Sequence, residues 1–258
     1  RRRKIYPQYK ETRKVKQRLN RNVDWGTAPQ DEQASMRQQM GRLIEYLEQL
    51  PLTLVSIDGI EADDTMAYIS QQLLPKSDIM LMSTDKDFLQ LVDDRVKVWS
   101  PTKKKLYTKQ VIQEEFGLPS RNMLTYRILD GDKSDNIGGI QGAGLKTIIK
   151  HIPQITEDKD FTAKDLLEFV NNTDKKIKVL ENIKNSSNLL KRNYLLMQLN
   201  NVDIPNHTKM KIQGAVNGDV PQLIKYKFQT MFLKDKLQTG IKNFDSWVME
   251  FTRLDRFR

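Results

Sequence analysis

Three short acidic clusters carry the residue types in this chain that could do chemistry. They span residues 61–64, 85–87 and 132–135, and their carboxylates are Glu61, Asp63, Asp64, Asp85, Asp87, Asp132 and Asp135. Carboxylates brought together by a fold repel one another. Mg2+ and Mn2+ relieve that repulsion because these hard cations prefer oxygen ligands. Two such ions about 3.5–4 Å apart can activate a water and stabilise the leaving oxygen of a phosphodiester.

The rest of the composition leaves few other kinds of chemistry open. The chain has no cysteine, which excludes disulfides, Cys-ligated zinc, iron–sulfur clusters and thiol catalysis. Its two histidines, His151 and His207, leave almost no room for a histidine metal site or a Ser-His-Asp triad. We interpret both as structural or surface residues. Any reaction must therefore use carboxylates, Lys and Arg, or hydroxyl groups.

Each acidic cluster is a weak signal by itself. An acidic pair near the start of a helix is often only a partner of the helix dipole, and an Asp-x-Asp after a strand is commonly a turn. Two of the clusters, however, follow predicted strands at Leu52–Ile57 and Asp78–Ser83. Strand ends are where α/β proteins place their chemistry. The joint pattern favours a metal site.

A glycine-rich segment follows the third cluster. Five of the twelve glycines lie between residues 131 and 144: Gly131, Gly138, Gly139, Gly142 and Gly144. The pattern predicts a helix–hairpin–helix at about 134–151, in which glycines permit a tight turn and close approach to a phosphate. Helix-start amides would bind that anion, with Lys146 and Lys150 adding charge. Such a hairpin binds duplex backbone. A plain glycine-rich loop between two helices is the alternative.

Positive charge is concentrated at the start of the chain. The net charge is +10, and residues 1–22 hold ten basic groups against one acid, Glu11, so that this segment alone carries +9. Tyr6 and Tyr9 are interleaved with the cations. Such a block suits a polyanion, because cations neutralise phosphates and rings stack on bases. A solvated tail or an ordinary charged helix face is the alternative.

The hydrophobic pattern predicts an α/β fold with a mostly parallel central sheet flanked by helices. A flexible stretch at 17–35 precedes a helix ended by Pro51, and further strands are predicted at 96–99 and 106–108. Helices are predicted at 61–74, 109–116, 120–129, 144–151, 162–171, 174–184, 187–200 and 220–232. We divide the chain into an arch and α/β core at 1–107 and a helical region at 108–258.

Taken together, these residues resemble the structure-specific 5′ nucleases, the family of flap endonucleases and bacteriophage 5′ exonucleases. Segments 61–64, 83–88 and 131–136 match the acidic motifs of that family in order, and 139–146 matches its helix–hairpin–helix. The opening segment 3–13 is similar to its arch-base motif, an aromatic–Lys–x–x–Arg helix. The resemblance covers about residues 1–150 and implies a PIN-like nuclease core with a helical arch.

The resemblance also implies roles for individual residues. Glu61, Asp63 and Asp64 would bind a first metal ion, and Asp85, Asp87, Asp132 and Asp135 a second. Lys10 and Arg13 would be catalytic, reaching the scissile phosphate and stabilising its developing charge. Tyr9 would stack on the neighbouring nucleotide. The duplex contacts would come from Gly139, Gly142, Gly144, Lys146 and Lys150. The expected ions are two Mg2+, with Mn2+ as a substitute, and a monovalent cation at the hairpin.

The implied activity is metal-dependent 5′→3′ exonuclease and flap endonuclease cleavage, which would remove RNA primers during DNA replication. Flapped or branched DNA and RNA–DNA duplexes are the expected substrates. We expect the protein to be a monomer. The tail at 251–258 is loosely similar to segments that bind a sliding clamp, and it also fits an amphipathic helix packed on the body; a single-strand-binding protein is the other expected protein partner. No apolar run approaches the ~18–20 residues of a membrane span, and no signal core opens the chain. We therefore expect an intracellular, cytoplasmic protein, acting in the host cytoplasm if it comes from a phage.

One departure and three alternatives follow. The family places two further aspartates upstream of the arch motif, so we expect these 258 residues to belong to a longer protein. A DNA-structure-binding module that has lost catalysis is the first alternative. A Toprim domain and a PIN-type ribonuclease are the others. The glycine hairpin after the third acidic cluster favours the 5′ nuclease over both.

Overall fold

The computed structural model describes residues 2–11 and 32–254. The chain forms two compact units, Arg1–Gln17 with Asp58–Pro205 and Arg18–Ile57 with Asn206–Arg258. The sequence predicted a domain boundary at residue 107, where the pattern changes from strands to helices. That boundary stays a prediction. All three acidic clusters and the glycine-rich segment belong to the first unit.

A small sheet lies at the centre of the first unit, which confirms the α/β class. Its strands are β1 (Ile79–Met82), β2 (Val96–Ser100) and β3 (Lys105–Tyr107), in that order across the sheet. β1 and β2 are parallel, with Ile79 opposite Val96. β2 and β3 are antiparallel, because a tight turn with Lys104 at φ 49° joins them. Alternate residues of β2 are buried, as expected of a strand with one face on the core.

The predicted strand at 52–57 is wrong. These residues adopt no regular secondary structure in the described part of the chain, and most are exposed or half-buried. Backbone amides of an isolated extended segment gain no ladder hydrogen bonds, so hydrophobic residues alone do not make a strand. The apolar side chain of Leu52 packs instead against the aromatic core of the second unit.

Helices account for most of the remaining described residues. In chain order they are α1 (Arg2–Ile5), α2 (Glu32–Leu47), α3 (Ala62–Tyr68), α4 (Lys109–Phe116), α5 (Met123–Asp130), α6 (Leu145–His151), α7 (Ala163–Asn172), α8 (Lys178–Lys184), α9 (Ser187–Met197), α10 (Asn206–Asn217), α11 (Lys225–Lys234) and α12 (Phe244–Leu254). A π-helical turn at Ile69–Leu73 extends α3, and 3-10 turns cover Lys86–Leu91, Ser120–Asn122 and Pro153–Thr156.

Most predicted helices are present within a few residues of their expected bounds, and the differences are local. Residues 32–35 belong to α2, whereas residues 17–31 of the predicted flexible stretch lie outside the described residues. α10 was not predicted. It contains His207, which was expected from the sequence to lie in a polar loop. None of the described helices combines the length and the apolar character needed to cross a membrane.

The second unit has an aromatic core of its own. Leu50, Phe228 and Phe232 are buried there. The ring centroids of Tyr46 and Trp247 each lie 5.3 Å from that of Phe228. α12 contributes Trp247 to this core, which confirms the amphipathic-helix interpretation for residues up to 254.

Candidate active site

The acidic clusters lie at the ends of elements of the first unit. Asp85 lies in the short loop between β1 and the 3-10 turn and caps that turn, because its Oδ1 accepts a hydrogen bond from the Asp87 amide at 2.8 Å. Glu61 precedes the first residue of α3. α5 ends at Asp130, and the loop that follows is closed by a pair of backbone hydrogen bonds between Asp132 and Ile137.

The first group of acids surrounds two cations from the start of the chain. Arg2 lies 2.7 Å from Glu61 Oε2 through Nη1 and 2.9 Å from Asp64 Oδ1 through Nη2. Its Nε donates to the Leu196 carbonyl at 2.8 Å, which ties α1 to α9. Lys10 Nζ lies 2.7 Å from Glu61 Oε2 and 3.9 Å from Asp135 Oδ2. The first and third acidic motifs thus share one cation.

Lys10 is held in an uncommon backbone conformation. Its φ is 58°, in the left-handed region that non-glycine residues rarely adopt and that often marks functional sites. Its amide donates to the Asp135 carbonyl at 3.0 Å. Asn136 donates from its side-chain amide to the Gln8 carbonyl, also at 3.0 Å. The loop of the third motif therefore fixes the turn that presents Lys10.

Tyr9 is placed differently from the expectation that it stacks on a nucleotide. The residue is only 4% exposed, and its hydroxyl lies 3.1 Å from Asp135 Oδ2 and 3.2 Å from Glu61 Oε2, so that the two carboxylates share its one proton. Burial and the neighbouring carboxylates raise the pKa of this phenol, which stays a hydrogen-bond donor. Tyr9 therefore connects two carboxylates through its hydroxyl, and its buried ring is not available to stack on a base.

The second group of acids surrounds Arg127 of α5. Arg127 Nε lies 2.8 Å from Asp87 Oδ1, and Nη2 lies 2.8 Å from Asp132 Oδ2. Nη1 donates to the Gly131 carbonyl at 3.0 Å and lies 3.5 Å from Asp130. One buried guanidinium thus connects the second and third acidic motifs. An open cavity of about 460 Å3 lies beside it, lined by residues that include Asp85 and Asp132.

The remaining oxygen of Asp132 is also engaged. Asp132 Oδ1 accepts from the Ser134 amide at 2.7 Å, from the Ser134 hydroxyl at 2.6 Å and from the Asp135 amide at 3.2 Å. Burial would raise the pKa of Asp132, but these donors and Arg127 outweigh it and lower the pKa. Asp132 is therefore held as a carboxylate, with both oxygens on neighbouring donors.

The acids differ in how well their charge is compensated. Burial acts to raise the pKa of Glu61, but Lys10 and Arg2 outweigh it and lower that pKa. Burial raises the pKa of Asp63, and the charge of Asp85 adds to this effect. Burial raises the pKa of Asp87 to about 7, with Arg127 opposing and Asp85 adding. Asp63 and Asp87 are thus acids whose charged form is disfavoured, because burial and the charge of Asp85 act on both.

This arrangement fits a hard cation by the chemistry of its donors. The crowded groups are carboxylates, and a divalent ion beside Asp63 and Asp87 would oppose the effects of burial and of the neighbouring negative charge, which both raise the pKa of these two acids. Among the residues that the structure describes, however, no three acids converge closely enough to hold a metal ion together. The assignment of individual ligands therefore stays a prediction.

The glycines of the hairpin divide into two kinds. At Gly139 a Cβ would lie 2.1 Å from the Asp130 carbonyl oxygen, and at Gly131, where φ is 75°, it would lie 2.5 Å from the Gly139 amide. These two permit close backbone packing at the end of α5, so that Gly139 serves the fold at this point. Gly142, at φ 85°, and Gly144 would meet nothing within 4 Å and face solvent.

The predicted duplex-binding face of the hairpin is accessible. Gly144 immediately precedes α6, and Lys146 and Lys150 are exposed on that helix. Arg13, the second predicted catalytic cation, lies outside the described residues.

Sequence reasoning missed three residues that organise the site: Arg2, Arg127 and Asn136. Arg127 has a recognisable signal, since it is the one formal charge between Met123 and Leu129, in an otherwise hydrophobic helix. Arg2 was hidden among the other cations of the basic block. Asn136 follows the last acid of its cluster and carries no charge to attract attention.

The sequence is similar to bacterial 5′-3′ exonucleases and to DNA polymerase I. Residues 1–117 match the family model of the 5′-3′ exonuclease N-terminal, resolvase-like domain. A 5′-3′ exonuclease of Buchnera aphidicola (subspecies Acyrthosiphon pisum) is 32% identical over 183 residues, 67% of this chain and 60% of the relative. One of Aquifex aeolicus is 38% identical over 106 residues, 41% of this chain and 37% of the relative. The thermostable DNA polymerase I of Thermus thermophilus is 33% identical over 126 residues, 48% of this chain and 15% of the relative. The chain thus spans less than two thirds of the length of these curated relatives.

Solved structures of a bacteriophage T5 enzyme share the fold. The T5 flap endonuclease in a complex with DNA and metal ions has a TM-score of 0.61 and 25% identity, covering 90% of this chain and 78% of its own. The T5 5′-exonuclease with zinc bound has a TM-score of 0.60 and 26% identity, covering 90% and 79%. Together with the acidic motifs and the glycine turn, these likenesses show that the chain is similar in sequence and in fold to the 5′ nucleases, which include the 5′-3′ exonucleases and flap endonucleases.

Proposed function

We propose that this protein is a metal-dependent 5′ nuclease that hydrolyses phosphodiesters at the 5′ ends or flaps of branched duplexes. The observation that carries the proposal is the placement of Lys10, on a left-handed backbone, between Glu61 of the first acidic motif and Asp135 of the third. A cation fixed among acids in this way suits a reaction in which a phosphate develops negative charge beside bound metal ions.

The chain's own residues would divide the work. Asp63, Asp85 and Asp87, with Glu61, Asp64, Asp132 and Asp135, would hold the divalent ions. When bound, those ions supply an activated water and stabilise the leaving oxygen. Lys10 would contact the scissile phosphate, and Arg13 is proposed for the same role. Tyr9 and Arg2 would keep Glu61, Asp64 and Asp135 in place.

The proposed ions are two Mg2+, with Mn2+ as a substitute. Support comes from the oxygen-only donor set and from the metal ions named with the T5 enzyme. A monovalent cation at the glycine hairpin is part of the same proposal, and it rests on the family resemblance alone.

DNA would be bound at the hairpin as well as at the acids. Gly142, Gly144, Lys146 and Lys150 form an exposed face whose lysines suit duplex phosphates. The T5 relative, named as a complex with DNA, supports DNA binding in general. Gly142→Val should weaken duplex binding and leave metal affinity unchanged, and an unaltered dissociation constant for DNA would refute the hairpin's role.

The biological substrate that we propose is a 5′ flap or an RNA primer at a replication fork, cut by a monomer in the cytoplasm. The DNA polymerase I relatives support a replicative role. A sliding clamp or a single-strand-binding protein is the proposed protein partner. Phe251 packs against Trp247, with ring centroids 4.6 Å apart, so a clamp contact would have to begin at Leu254.

The test is cleavage of a 3′-labelled 5′-flap duplex by the natural full-length protein, with Mg2+ and with EDTA. We expect Mg2+-dependent release at the flap junction. Asp87→Asn should nearly abolish turnover and leave DNA binding largely intact, whereas Asp94→Asn, at an exposed acid paired with Lys109, should behave as the native protein. Equal loss of cleavage and of binding in Asp87→Asn would argue against a metal role.

A second function is favoured by one observation. Since no three described acids converge and Arg2, Lys10 and Arg127 compensate several of them, the chain could also serve as a non-catalytic module that binds branched DNA. Tight flap binding without cleavage at any Mg2+ or Mn2+ concentration would support this alternative.

A further inference from the structure

Arg127 lies where its side chain has almost no freedom. The residue is 4% exposed, and each of its three guanidinium nitrogens has a partner. Its helix is buried from Met123 to Leu129. α5 ends against the hairpin, where Ile140 donates to the Leu129 carbonyl at 2.7 Å. Backbone and side chain of Arg127 are therefore both fixed by packing and hydrogen bonds.

The two carboxylates that Arg127 binds come from different motifs. Asp87 belongs to the 3-10 turn after β1, and Asp132 to the loop after α5. The guanidinium of Arg127 donates to Oδ1 of Asp87 and to Oδ2 of Asp132, both at 2.8 Å. Because the guanidinium is planar and rigid, it sets the distance between the 3-10 turn and the loop after α5. Lysine cannot reproduce this geometry because its ammonium is a single point of charge.

Arg127 does not neutralise its surroundings. The guanidinium carries one positive charge and lies within 3.5 Å of three carboxylates, those of Asp87, Asp130 and Asp132. Asp85 borders the same cavity together with two exposed lysines, Lys86 and Lys133. At the guanidinium itself the carboxylates therefore outnumber the cation. A competitor for the metal would be expected to cancel the charge of the site, whereas this guanidinium orders acids and leaves their charge in excess.

We propose that Arg127 is a positioning residue for the divalent-metal site: its guanidinium holds Asp87 and Asp132 in the arrangement that receives the ion, and it stays in place when the ion binds. The proposal rests on the proposed function for the existence of that site. Partners of this kind around a metal site typically contribute about 10–100-fold to metal affinity.

The first test is Mn2+ binding measured by calorimetry on the full-length protein, without DNA. We expect Arg127→Lys to bind Mn2+ at least 10-fold more weakly than native protein. The matched control is Arg95→Lys. The side chain of Arg95 donates only to the carbonyls of Ser70, Leu74 and Ser77 among its described partners, so its replacement by lysine should leave Mn2+ affinity unchanged. Circular dichroism and urea midpoints establish that each variant is folded.

Three outcomes would overturn the proposal. Unchanged affinity in Arg127→Lys would give the residue a purely structural role, and tighter affinity would make it a competitor of the ion. Absence of Mn2+ binding by the native protein would remove the site altogether. Native protein that binds Mn2+ but cuts no flap would refute the proposed nuclease and leave the positioning role intact.

A second measurement avoids substitution. In the NMR spectrum of the native protein, the Nε–H of Arg127 should exchange slowly, because it is buried on Asp87. Mg2+ should shift this signal and leave it protected. Loss of protection on adding Mg2+ would mean that the guanidinium is displaced, which would contradict the proposal even if Arg127→Lys failed to fold.

Discussion

At the scale of single residues, Lys10 is distinguished by strained geometry at the point where two acidic motifs meet. Its backbone is left-handed, and its side chain contacts Glu61 and Asp135. Such strain persists only where surrounding contacts fix it. Here the contacts come from Asn136 and from the carbonyl of Asp135.

Lys10→Ala should slow single-turnover flap cleavage by about 10²-fold, the usual effect of losing one donor to a developing oxyanion. Mn2+ affinity should not fall, because the substitution removes a positive charge from beside Glu61. Lys4→Ala, at an exposed lysine of α1, is the matched control. A parallel loss of Mn2+ affinity in Lys10→Ala would assign the residue to metal-site structure instead of the chemical step.

The acids of the site could be chosen from the sequence, whereas their partners could not. Clusters of carboxylates are visible in the sequence itself, although the strand predicted before the first cluster is absent. The pairing of Arg127 with Asp87 joins residues 40 positions apart. The pairing of Arg2 with Asp64 joins residues 62 positions apart. Such pairings depend on the packing of α5 and α1 within the unit, which no local spacing encodes.

At the scale of elements, the hairpin after α5 is held by backbone packing that excludes side chains. Gly139→Ala should destabilise the first unit by about 1–3 kcal/mol, since its Cβ would clash with the Asp130 carbonyl oxygen at 2.1 Å. Gly138→Ala is the matched control, because a Cβ there meets nothing within 4 Å. Urea unfolding measures both variants. Equal midpoints would show that the hairpin rearranges freely.

The contact between α4 and the β2–β3 turn predicts a pH dependence of stability. Glu115 accepts from Lys105 at 2.8 Å, Lys103 at 3.0 Å and Tyr107 at 3.2 Å. Burial opposes the effect, but these donors lower the pKa of Glu115 to about 2. A carboxylate whose pKa is lower in the folded state stabilises the fold above its unfolded pKa, and that contribution is lost as the pH falls.

Native protein should therefore lose free energy of unfolding between about pH 5 and pH 2 through this group. Glu115→Gln should be less stable near neutral pH and flatter across this window. Urea midpoints are measured at several pH values for both proteins. The difference between native protein and variant at each pH isolates the effect of Glu115 from that of the other acids. Glu114→Gln, one residue away and paired only with Gln110 among its described partners, should match the native curve. Identical curves for Glu115→Gln would exclude the contribution.

The prediction was right for a strand that pairs with a neighbouring strand and wrong for a segment that has no such neighbour. β1 and the segment 52–57 have the same apolar character, but only β1 pairs with another described strand. α10 was missed because its apolar residues, including Met210 and Ile212, do not follow helical spacing clearly. Strand pairing and weakly amphipathic helices both depend on tertiary packing, which periodicity does not report.

At the scale of the whole molecule, each unit is built from separate stretches of chain. The second unit should lose about 3–5 kcal/mol of stability in Phe228→Ala, because that ring packs against Tyr46, Phe232, Phe244 and Trp247. Hydrogen exchange should show reduced protection in α2, α11 and α12, with amides of β2 as the internal reference. Tyr226→Ala, at a residue of α11 that is 82% exposed, should change nothing. Unaltered exchange in Phe228→Ala would disprove the aromatic core.

The bond between Arg2 and the Leu196 carbonyl joins residues 194 positions apart. During synthesis the start of the chain leaves the ribosome long before its partner exists, and at roughly 5–20 residues per second the delay is on the order of 10–40 s. Over that interval Arg2 cannot complete its contacts, although Asp64 is already made. The contacts of Arg2 in the first unit are therefore completed late, after α9 has been translated. A ribosome that stalls before residue 196 would release a chain with the acidic motifs in place but without the carbonyl that anchors its first helix.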